Sequence, residues 1–199
     1  MKSLLLAAAA LCLFPLAAHA APVIGQPAPA FTGTDSTGAT RSLADYKGKT
    51  VVLEWTNPEC PYVKKFYGSN AMQAQQKAVT DSGVIWLSIN SSAEGKQGYL
   101  TQADATKLLT DEKASPTALI LDHDGVIGTA YEAKTTPHMF VIDPAGTLVY
   151  AGAIDDNPSS DPKTLETAKN YVAQTLGELT AGKPVSEPLT QSYGCGVKY

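Results

Sequence analysis

The chain has little cysteine and almost no arginine, and both shortages restrict what it can do. It has three cysteines in 199 residues, and Arg41 is the single arginine. Its 15 basic and 19 acidic residues give a formal charge of −4. An acidic chain without a basic cluster is a poor partner for the phosphate backbone of nucleic acids. We therefore expect no nucleic-acid partner.

Residues 1–20 are typical of a secretory signal peptide. Lys2 precedes the apolar run LLLAAAALCLFPLAA, and the small residues AHA come directly before Ala21. The alternative is an uncleaved membrane anchor, although the run is short for a bilayer span. We predict cleavage near Ala20, which leaves a periplasmic or secreted chain with a formal charge of −5. No later apolar run is long enough to be a membrane span.

The rest of the chain is predicted to form one domain over residues 21–182, followed by a C-terminal tail over residues 183–199. The predicted elements are a hairpin with its turn at 36–38, strand 50–56, a helix from 61 interrupted at 68–70, strand 83–90, helix 101–114, strand 117–122, hairpin strands 138–143 and 147–153, and helix 161–182.

This order of elements predicts an α/β fold. A central mixed β-sheet would be flanked by helices, with an N-terminal β-hairpin extension. In the interrupted helix, the buried face is predicted from apolar or small residues at 63, 67, 71, 74 and 78.

The segment TNPECPYVKKFY, residues 56–67, places one cysteine at a predicted helix start. Pro61 suits the first helical position, so Cys60 is expected at the N-cap, beside unpaired N–H groups and the positive end of the helix. Lys64 shares a helix face with Cys60, whereas Glu59 opposes the positive field. Because the thiolate is the nucleophile and a free thiol titrates near ~8.5, this position favours a reactive thiol of lowered pKa. The alternative is a buried structural cysteine.

The position of the second cysteine in a C-x-x-C pair holds Val63. An intramotif disulfide is therefore impossible, and Cys195 is the one other thiol after the signal peptide. Cys195 lies in YGCGV, where two glycines predict a mobile backbone. We hypothesise that Cys195 resolves an intermediate formed at Cys60. A permanent Cys60–Cys195 disulfide and two independent thiols remain alternatives, because the same tail position serves all three.

Five segments carry a resemblance to a known group. They are IGQPAPAFTGTDSTGATRSLADYKGKTVVLEW, the strand-to-helix turn WTNPECPYV, the strand VIWLSIN, the stretch TTPHMFVIDPAGTLVYAGAIDD and the closing helix. Together they resemble the thioredoxin-like redoxins, which include exported TlpA-type proteins and the AhpC/TSA peroxiredoxins. The tail AGKPVSEPLTQSYGCGVKY resembles a subgroup with a single-cysteine CPYV motif and a cysteine near the C-terminus. The resemblance implies a thioredoxin-like fold and a thiol-disulfide oxidoreductase or thiol peroxidase that uses no cofactor.

The resemblance also implies roles for residues around the thiol. Pro137 matches the proline that is cis in this fold and faces the reactive cysteine, and Thr136 precedes it. Tyr62 and Val63 follow the cysteine in the motif and are expected to tune the thiol. His138 is expected to reach the Cys60 cleft and contact substrate; the alternative is a strand residue with no chemistry.

Peroxide reduction is predicted to be inefficient. Peroxiredoxins carry a threonine three residues before the thiol and an arginine that stabilises the thiolate and polarises the peroxide. Here Asn57 holds the threonine position, Thr56 is displaced by one residue, and Arg41 lies upstream in the hairpin. A slow thiol peroxidase remains compatible with this pattern.

Glu54 lies six residues before Cys60, where thioredoxins carry a buried acid that relays protons. Aligning Trp55 with the tryptophan of that family places Leu53 there instead, and neighbours on a strand face opposite sides. Glu54 is therefore either a proton relay or a solvated or hydrogen-bonded strand carboxylate.

These observations predict an exported oxidoreductase in which Cys60 attacks a disulfide or peroxide bond and Cys195 resolves the product. Its partners would be a thiol or disulfide protein or a small peroxide, with an external thiol as reductant. The alternative is a non-catalytic binding module with a structural disulfide or a copper site, because Cys60, His138 and Cys195 are soft ligands. The paired motif cysteines of copper proteins on this fold are missing, so we predict no metal. The loop AIDDNPSSDP, residues 153–162, is expected to be solvated.

Overall fold

The computed structural model describes residues 22–199. The predicted signal peptide lies outside these residues. Strands are β1 (Thr32–Asp35), β2 (Thr40–Ser42), β3 (Val51–Trp55), β4 (Ile85–Asn90), β5 (Ala118–Leu121), β6 (Thr135–Thr136), β7 (His138–Ile142), β8 (Leu148–Gly152) and β9 (Cys195–Gly196). Helices are α1 (Pro61–Gly68), α2 (Ala71–Asp81), α3 (Gln102–Asp111), α4 (Val126–Ala130) and α5 (Tyr171–Thr180), with 3-10 helices at Leu43–Tyr46 and Pro162–Glu166.

Seven strands form one mixed sheet in the order β2-β1-β5-β4-β3-β7-β8. Strands β3, β4 and β5 run parallel, whereas β7 runs antiparallel to β3. This confirms the predicted α/β fold with a mixed sheet and flanking helices. The predicted N-terminal hairpin is β1–β2, and it joins the sheet through an antiparallel pairing with β5.

The central strand β3 is buried on both faces, so its side chains alternate between two apolar layers. Leu53 and Trp55 pack with Phe140 in one layer. Val52 packs in the other layer with Met139 and Cys60. Strand β3 ends at Trp55, five residues before Cys60. The motif therefore lies just beyond the C-terminal end of this central strand.

The interruption predicted at 68–70 is present, and it changes which residues of the next helix are buried. Helix α1 ends at Gly68, and Asn70 has a positive φ of 62° before α2 begins. The break shifts the phase of the helical face. Met72 and Gln76 are therefore buried in α2, whereas Ala74 and Ala78, predicted from an unbroken phase, are exposed.

The other helix predictions were partly right. Helix α3 starts as predicted, because the Thr101 hydroxyl accepts from Asp104 N–H at 3.1 Å and the Asp104 carboxylate accepts in return. The single helix predicted over 161–182 is wrong: a 3-10 helix ends at Glu166, and α5 starts after Asn170. The Asn170 side chain accepts from Ala173 N–H at 2.8 Å and so caps a new helix.

The C-terminal tail packs along the domain on both sides of Cys195. Upstream of it, Thr190 N–H donates to the Ala151 carbonyl at 3.1 Å. Downstream, β9 pairs with β6, and the Tyr199 hydroxyl donates to the Ala133 carbonyl at 2.8 Å. Among residues 22–199, no helix has the length and apolar character needed to cross a membrane.

Candidate active site

Cys60 occupies the N-cap of α1 with extended backbone angles (φ −73°, ψ 125°), and Pro61 takes the first helical position. Its N–H donates to the Asn57 carbonyl at 3.1 Å, and its carbonyl accepts from Val63 and Lys64 N–H. The sulfur therefore lies beside the N–H groups and positive field of the helix start, as the motif predicts. The residue is only 1% exposed.

The fold brings the two thiols of residues 22–199 together. The Sγ atoms of Cys60 and Cys195 are 2.7 Å apart, and both cysteines are free. A disulfide is about 2.05 Å long, so a closing movement of under about 1 Å would join them. Cys195 itself is part-exposed. Of the three alternatives for the pair, two spatially independent thiols do not fit this arrangement.

Backbone pairing explains how the tail reaches the motif. Strand β9 runs antiparallel to β6, with Cys195 opposite Thr136. A Cβ atom on Gly194 would lie 2.0 Å from the Thr136 carbonyl oxygen, and its φ is +132°. Gly194 therefore permits a close approach of two backbones. The mobility expected from the two glycines stays a prediction.

The peptide between Thr136 and Pro137 is cis, in agreement with the resemblance. The Cys60 thiol donates to the Thr136 carbonyl oxygen at 3.0 Å. The proline loop, the helix start and the tail thus meet at one sulfur atom.

The two sulfurs differ in acidity. Burial raises the pKa of the Cys60 thiol, but hydrogen bonds with the side chains of Cys195 and Thr136 and with the N–H groups of Val63 and Cys195 outweigh burial and lower it. Burial and the neighbouring Cys60 raise the pKa of Cys195 to about 11. Cys60 is therefore the more acidic thiol of the pair and Cys195 the less acidic one.

The two neighbouring lysines of the motif differ in burial, and the effect of Lys64 on the thiol stays a prediction. Lys64 is exposed, whereas Lys65 is buried. The local sequence does not reveal which of the two lysines is buried. Lys65 is buried because it pairs with Asp155, which lies 90 residues further along the chain. The Tyr62 ring packs edge-on against Tyr193 at 5.8 Å, and Val63 is buried beneath the helix start.

His138 does not point toward the sulfurs. Its ring packs on Phe140 at 4.5 Å, in the layer opposite the one that contains Cys60. Its Nδ1 accepts from Lys134 N–H at 3.2 Å, and burial, with the charge of Lys134, lowers its pKa to about 4. The expectation that His138 reaches the Cys60 cleft is therefore wrong. Alternation along β7 puts its side chain on the other face.

Glu54 is a fully buried, hydrogen-bonded carboxylate, so the solvated alternative is wrong. It accepts from Trp86 Nε1 and Ser88 Oγ at 2.8 Å each, from the Tyr67 hydroxyl at 3.0 Å, and from Gln76 at 3.2 Å. Burial raises the pKa of Glu54, and the four hydrogen bonds lower it by less, so the pKa stays above its ordinary value. Its hydrogen bonds within the described residues go to these four side chains and to neither sulfur.

The two positions compared with peroxiredoxins, Asn57 and Arg41, make structural hydrogen bonds away from the Cys60 sulfur. Asn57 is buried, and its amide donates to the Gln97 carbonyl at 3.1 Å while its Oδ1 accepts from Glu59 N–H at 2.8 Å. Arg41 bonds Asp35 at 2.7 Å in the β1–β2 hairpin, at the far edge of the sheet from β3 and β7. Neither supplies a guanidinium or a threonine hydroxyl at Cys60.

The aspartate-rich loop contains the residue that sequence reasoning missed. Asp155 is 2% exposed and pairs with Lys65 at 3.0 Å. The prediction that this loop is solvated is therefore wrong at Asp155. Lys65 also donates to the Asn157 carbonyl at 3.1 Å. A lysine and an aspartate so far apart in sequence give no local signal of this contact.

The copper alternative has little geometric support. No group of three or more His, Cys, Asp or Glu side chains within residues 22–199 is arranged to hold a metal ion. With His138 on the other face, the two sulfurs are the soft donors left at this site.

The chain is similar to one protein family and to several solved structures. The AhpC/TSA family matches residues 24–151. An uncharacterized conserved protein from Geobacillus kaustophilus is 25% identical with a TM-score of 0.77, over 89% of this chain and 92% of that one. A hypothetical protein from Sinorhizobium meliloti 1021 is 20% identical with a TM-score of 0.75, over 89% and 94%.

The thioredoxin domain of a thiol-disulfide oxidoreductase from Bacteroides vulgatus is 24% identical with a TM-score of 0.52, over 72% of this chain and 96% of that one. No curated protein matches the sequence. The structural likenesses identify the fold as thioredoxin-like. The subgroup with a CPYV motif and a C-terminal cysteine stays a prediction.

Proposed function

Because the chain belongs to the AhpC/TSA family and two free thiols meet at one helix start, we propose that it is an exported thiol-dependent oxidoreductase. Cys60 is the attacking residue and Cys195 the resolving residue. The observation that carries the proposal is the 2.7 Å separation of the two sulfurs. Thiol redox chemistry in general follows from the family and the site; the assignment of roles and the export are our proposal.

The proposed cycle follows from the difference in acidity. The Cys60 thiolate attacks one sulfur of a partner disulfide, which forms a mixed disulfide and releases a partner thiolate. Cys195 gives up its proton and attacks the Cys60 sulfur, which releases the second partner thiolate and forms the Cys60–Cys195 disulfide. Two external thiols then reduce this disulfide and are themselves oxidised to a disulfide.

The same thiolate can attack a peroxide, with the Cys60 sulfur becoming a sulfenic acid and the peroxide leaving as an alcohol or water. Cys195 would resolve this product with loss of water. Within residues 22–199, the threonine and arginine positions that peroxiredoxins use make no hydrogen bond to the Cys60 sulfur, so we expect this reaction at the rate of an ordinary low-pKa thiol. Disulfide exchange is therefore the favoured activity.

A permanent disulfide is the competing interpretation of the same pair. On the loop-entropy account, closing so long a loop would stabilise the fold by ~4–5 kcal/mol. The lowered pKa of Cys60 favours a reversible couple, because a good leaving thiolate makes a disulfide easier to reduce.

Turnover of a small disulfide, bis(2-hydroxyethyl) disulfide, and of hydrogen peroxide, each with a thiol reductant, tests the proposal in three proteins. We expect Cys60→Ser to abolish both activities. We expect Cys195→Ser to stop at a mixed disulfide on Cys60. Activity that survives Cys60→Ser, or a wild-type disulfide that millimolar thiols do not reduce, would overturn the proposal.

A further inference from the structure

A buried polar cluster ties the tail to helix α1. The Lys65–Asp155 ion pair is almost free of solvent contact, with side-chain exposures of 0% and 2%. Tyr193, two residues before Cys195, donates its hydroxyl to the second oxygen of Asp155. Its ring lies 5.7 Å from Lys65 Nζ. The cluster therefore joins the helix that Cys60 caps to the segment that carries Cys195.

The ion pair alone does not explain this arrangement. Burying two charges is costly, and the attraction between them offsets that cost only when further hydrogen bonds complete the group. Lys65 also donates to the Asn157 carbonyl at 3.1 Å and to the Tyr193 hydroxyl at 3.5 Å. The second oxygen of Asp155 accepts from the Tyr193 hydroxyl and from Asn157 N–H, the latter at 3.0 Å. Bonds to a charged acceptor are among the stronger hydrogen bonds in proteins. Tyr193 thus supplies a strong attachment at a point two residues from the reacting sulfur.

We propose that Tyr193 is a positioning residue whose hydroxyl bond to Asp155 sets the effective concentration of Cys195 at Cys60. This inference rests on the proposed function. On the other side of Cys195, the β6–β9 pairing spans two residues of each strand. Without the Tyr193 bond, the segment from Thr190 to Cys195 would have fewer attachments to the domain. Cys195 would then spend less time within reach of Cys60.

The position of Cys195 also determines what happens to Cys60 after it is oxidised. After peroxide attack, the Cys60 sulfenic acid either reacts with Cys195, losing water to form the disulfide, or meets a second peroxide and becomes a sulfinic acid. The first reaction depends on the position of Cys195, whereas the second depends on the peroxide concentration. Loosening the tail therefore shifts the product toward the sulfinic acid.

The test compares Tyr193→Phe with a matched control, Tyr46→Phe. The first substitution removes the hydroxyl and keeps the ring that lies near Lys65. The second removes a buried hydroxyl that has no hydrogen-bond partner among residues 22–199. Tyr46 lines a pocket together with Val51, at the end of β3 remote from Cys60. The equilibrium between thiols and the Cys60–Cys195 disulfide is measured in glutathione buffers, and sulfinic acid by intact mass after hydrogen peroxide treatment.

We expect Tyr193→Phe to lower the equilibrium constant for disulfide formation by about tenfold and to raise the sulfinic fraction. Tyr46→Phe should match wild type in both. Urea unfolding of the reduced proteins separates positioning from stability. If Tyr193→Phe lowers only the free energy of unfolding and leaves the disulfide equilibrium and the sulfinic fraction unchanged, the inference is overturned. If wild type forms no Cys60–Cys195 disulfide at all, the proposed function fails, and the inference fails with it.

Discussion

Thr136 and Cys195 are register partners in the two-stranded β6–β9 sheet, so the residue before the cis peptide bond lies directly opposite the tail cysteine. The Thr136 carbonyl accepts from the Cys60 thiol at 3.0 Å. One residue of the domain therefore contacts both sulfur-bearing segments. Cys195 is thus held in place by backbone pairing between β9 and β6.

Removing the tail thiol should change the acidity of the motif thiol. We expect Cys195→Ala to raise the pKa of Cys60, because the lowered pKa depends in part on hydrogen bonding from Cys195. Thiolate absorbance near ~240 nm followed against pH measures this value. Cys195→Ser retains a donor and should raise the pKa less than Cys195→Ala. An unchanged pKa in Cys195→Ala would mean that the helix start alone stabilises the thiolate.

Two glycines in the tail should differ in their tolerance of a methyl group. In Gly194→Ala, the added Cβ would lie 2.0 Å from the Thr136 carbonyl oxygen at a φ of +132°. Such backbone strain costs of order 1–3 kcal/mol, so we expect β9 to separate from β6 and disulfide formation to slow at least about tenfold. Gly196→Ala is the matched control, since its Cβ would meet only the Lys134 carbonyl at 4.0 Å. Stopped-flow mixing with peroxide, read by tail-thiol loss, compares the variants. Equal rates for the two would show that the close approach at Gly194 is not needed.

Arg41 should have no part in peroxide chemistry. Its guanidinium bonds Asp35 at 2.7 Å in the β1–β2 hairpin, and hydrogen bonds from Thr37 and Arg41 overcome burial to lower the pKa of Asp35 to about 2. We expect Arg41→Gln to leave the rate of Cys60 oxidation within about twofold of wild type, because no contact carries its charge to the thiol. A tenfold slower oxidation by hydrogen peroxide, with the fold intact, would return Arg41 to the mechanism.

Glu112 should make stability depend on pH. Burial, with repulsion from Glu54 and Asp111, raises its pKa to about 7. A carboxyl whose pKa is raised by folding stabilises fully below its ordinary value, and this contribution is lost as pH rises through about 7. We expect Glu112→Gln to increase the free energy of unfolding at pH ~8 by about 1–2 kcal/mol and to change little at pH ~4, after allowance for its half-exposed position. Urea unfolding of the reduced proteins measures this, with exposed Glu166→Gln as control. A gain that is equal at both pH values would contradict the assignment.

Glu54 should act on the fold more than on the thiol. Its four donors, Tyr67, Gln76, Trp86 and Ser88, tie β3 to α1, α2 and β4. We expect Glu54→Gln to cost about 1–3 kcal/mol, because one buried donor loses its acceptor. The pKa of Cys60 should stay at its wild-type value, since no hydrogen bond of Glu54 reaches either sulfur. A changed Cys60 pKa in this variant would restore the proton-relay interpretation.

Local patterns predicted those parts of the site that neighbours in sequence determine. The N-cap position of Cys60 follows from Pro61 and the strand before it, and the α3 start follows from Thr101 and Asp104. The orientation of His138 depends on the phase of β7, which its position after a proline does not reveal. The burial of Lys65 instead of Lys64 depends on Asp155, a contact between segments that are distant in sequence. Such long-range contacts leave no period or motif for sequence reasoning to use.

The most direct test of a redox cycle between Cys60 and Cys195 is the linkage of the thiols in protein isolated from its own compartment. Free thiols are alkylated before and after mild reduction, and tryptic peptides containing Cys60 and Cys195 are identified by mass spectrometry. We expect a mixture of reduced and Cys60–Cys195-linked forms that interconvert with millimolar thiols. A fully linked protein that resists such reduction would contradict a redox cycle and would make Cys195 a permanent staple.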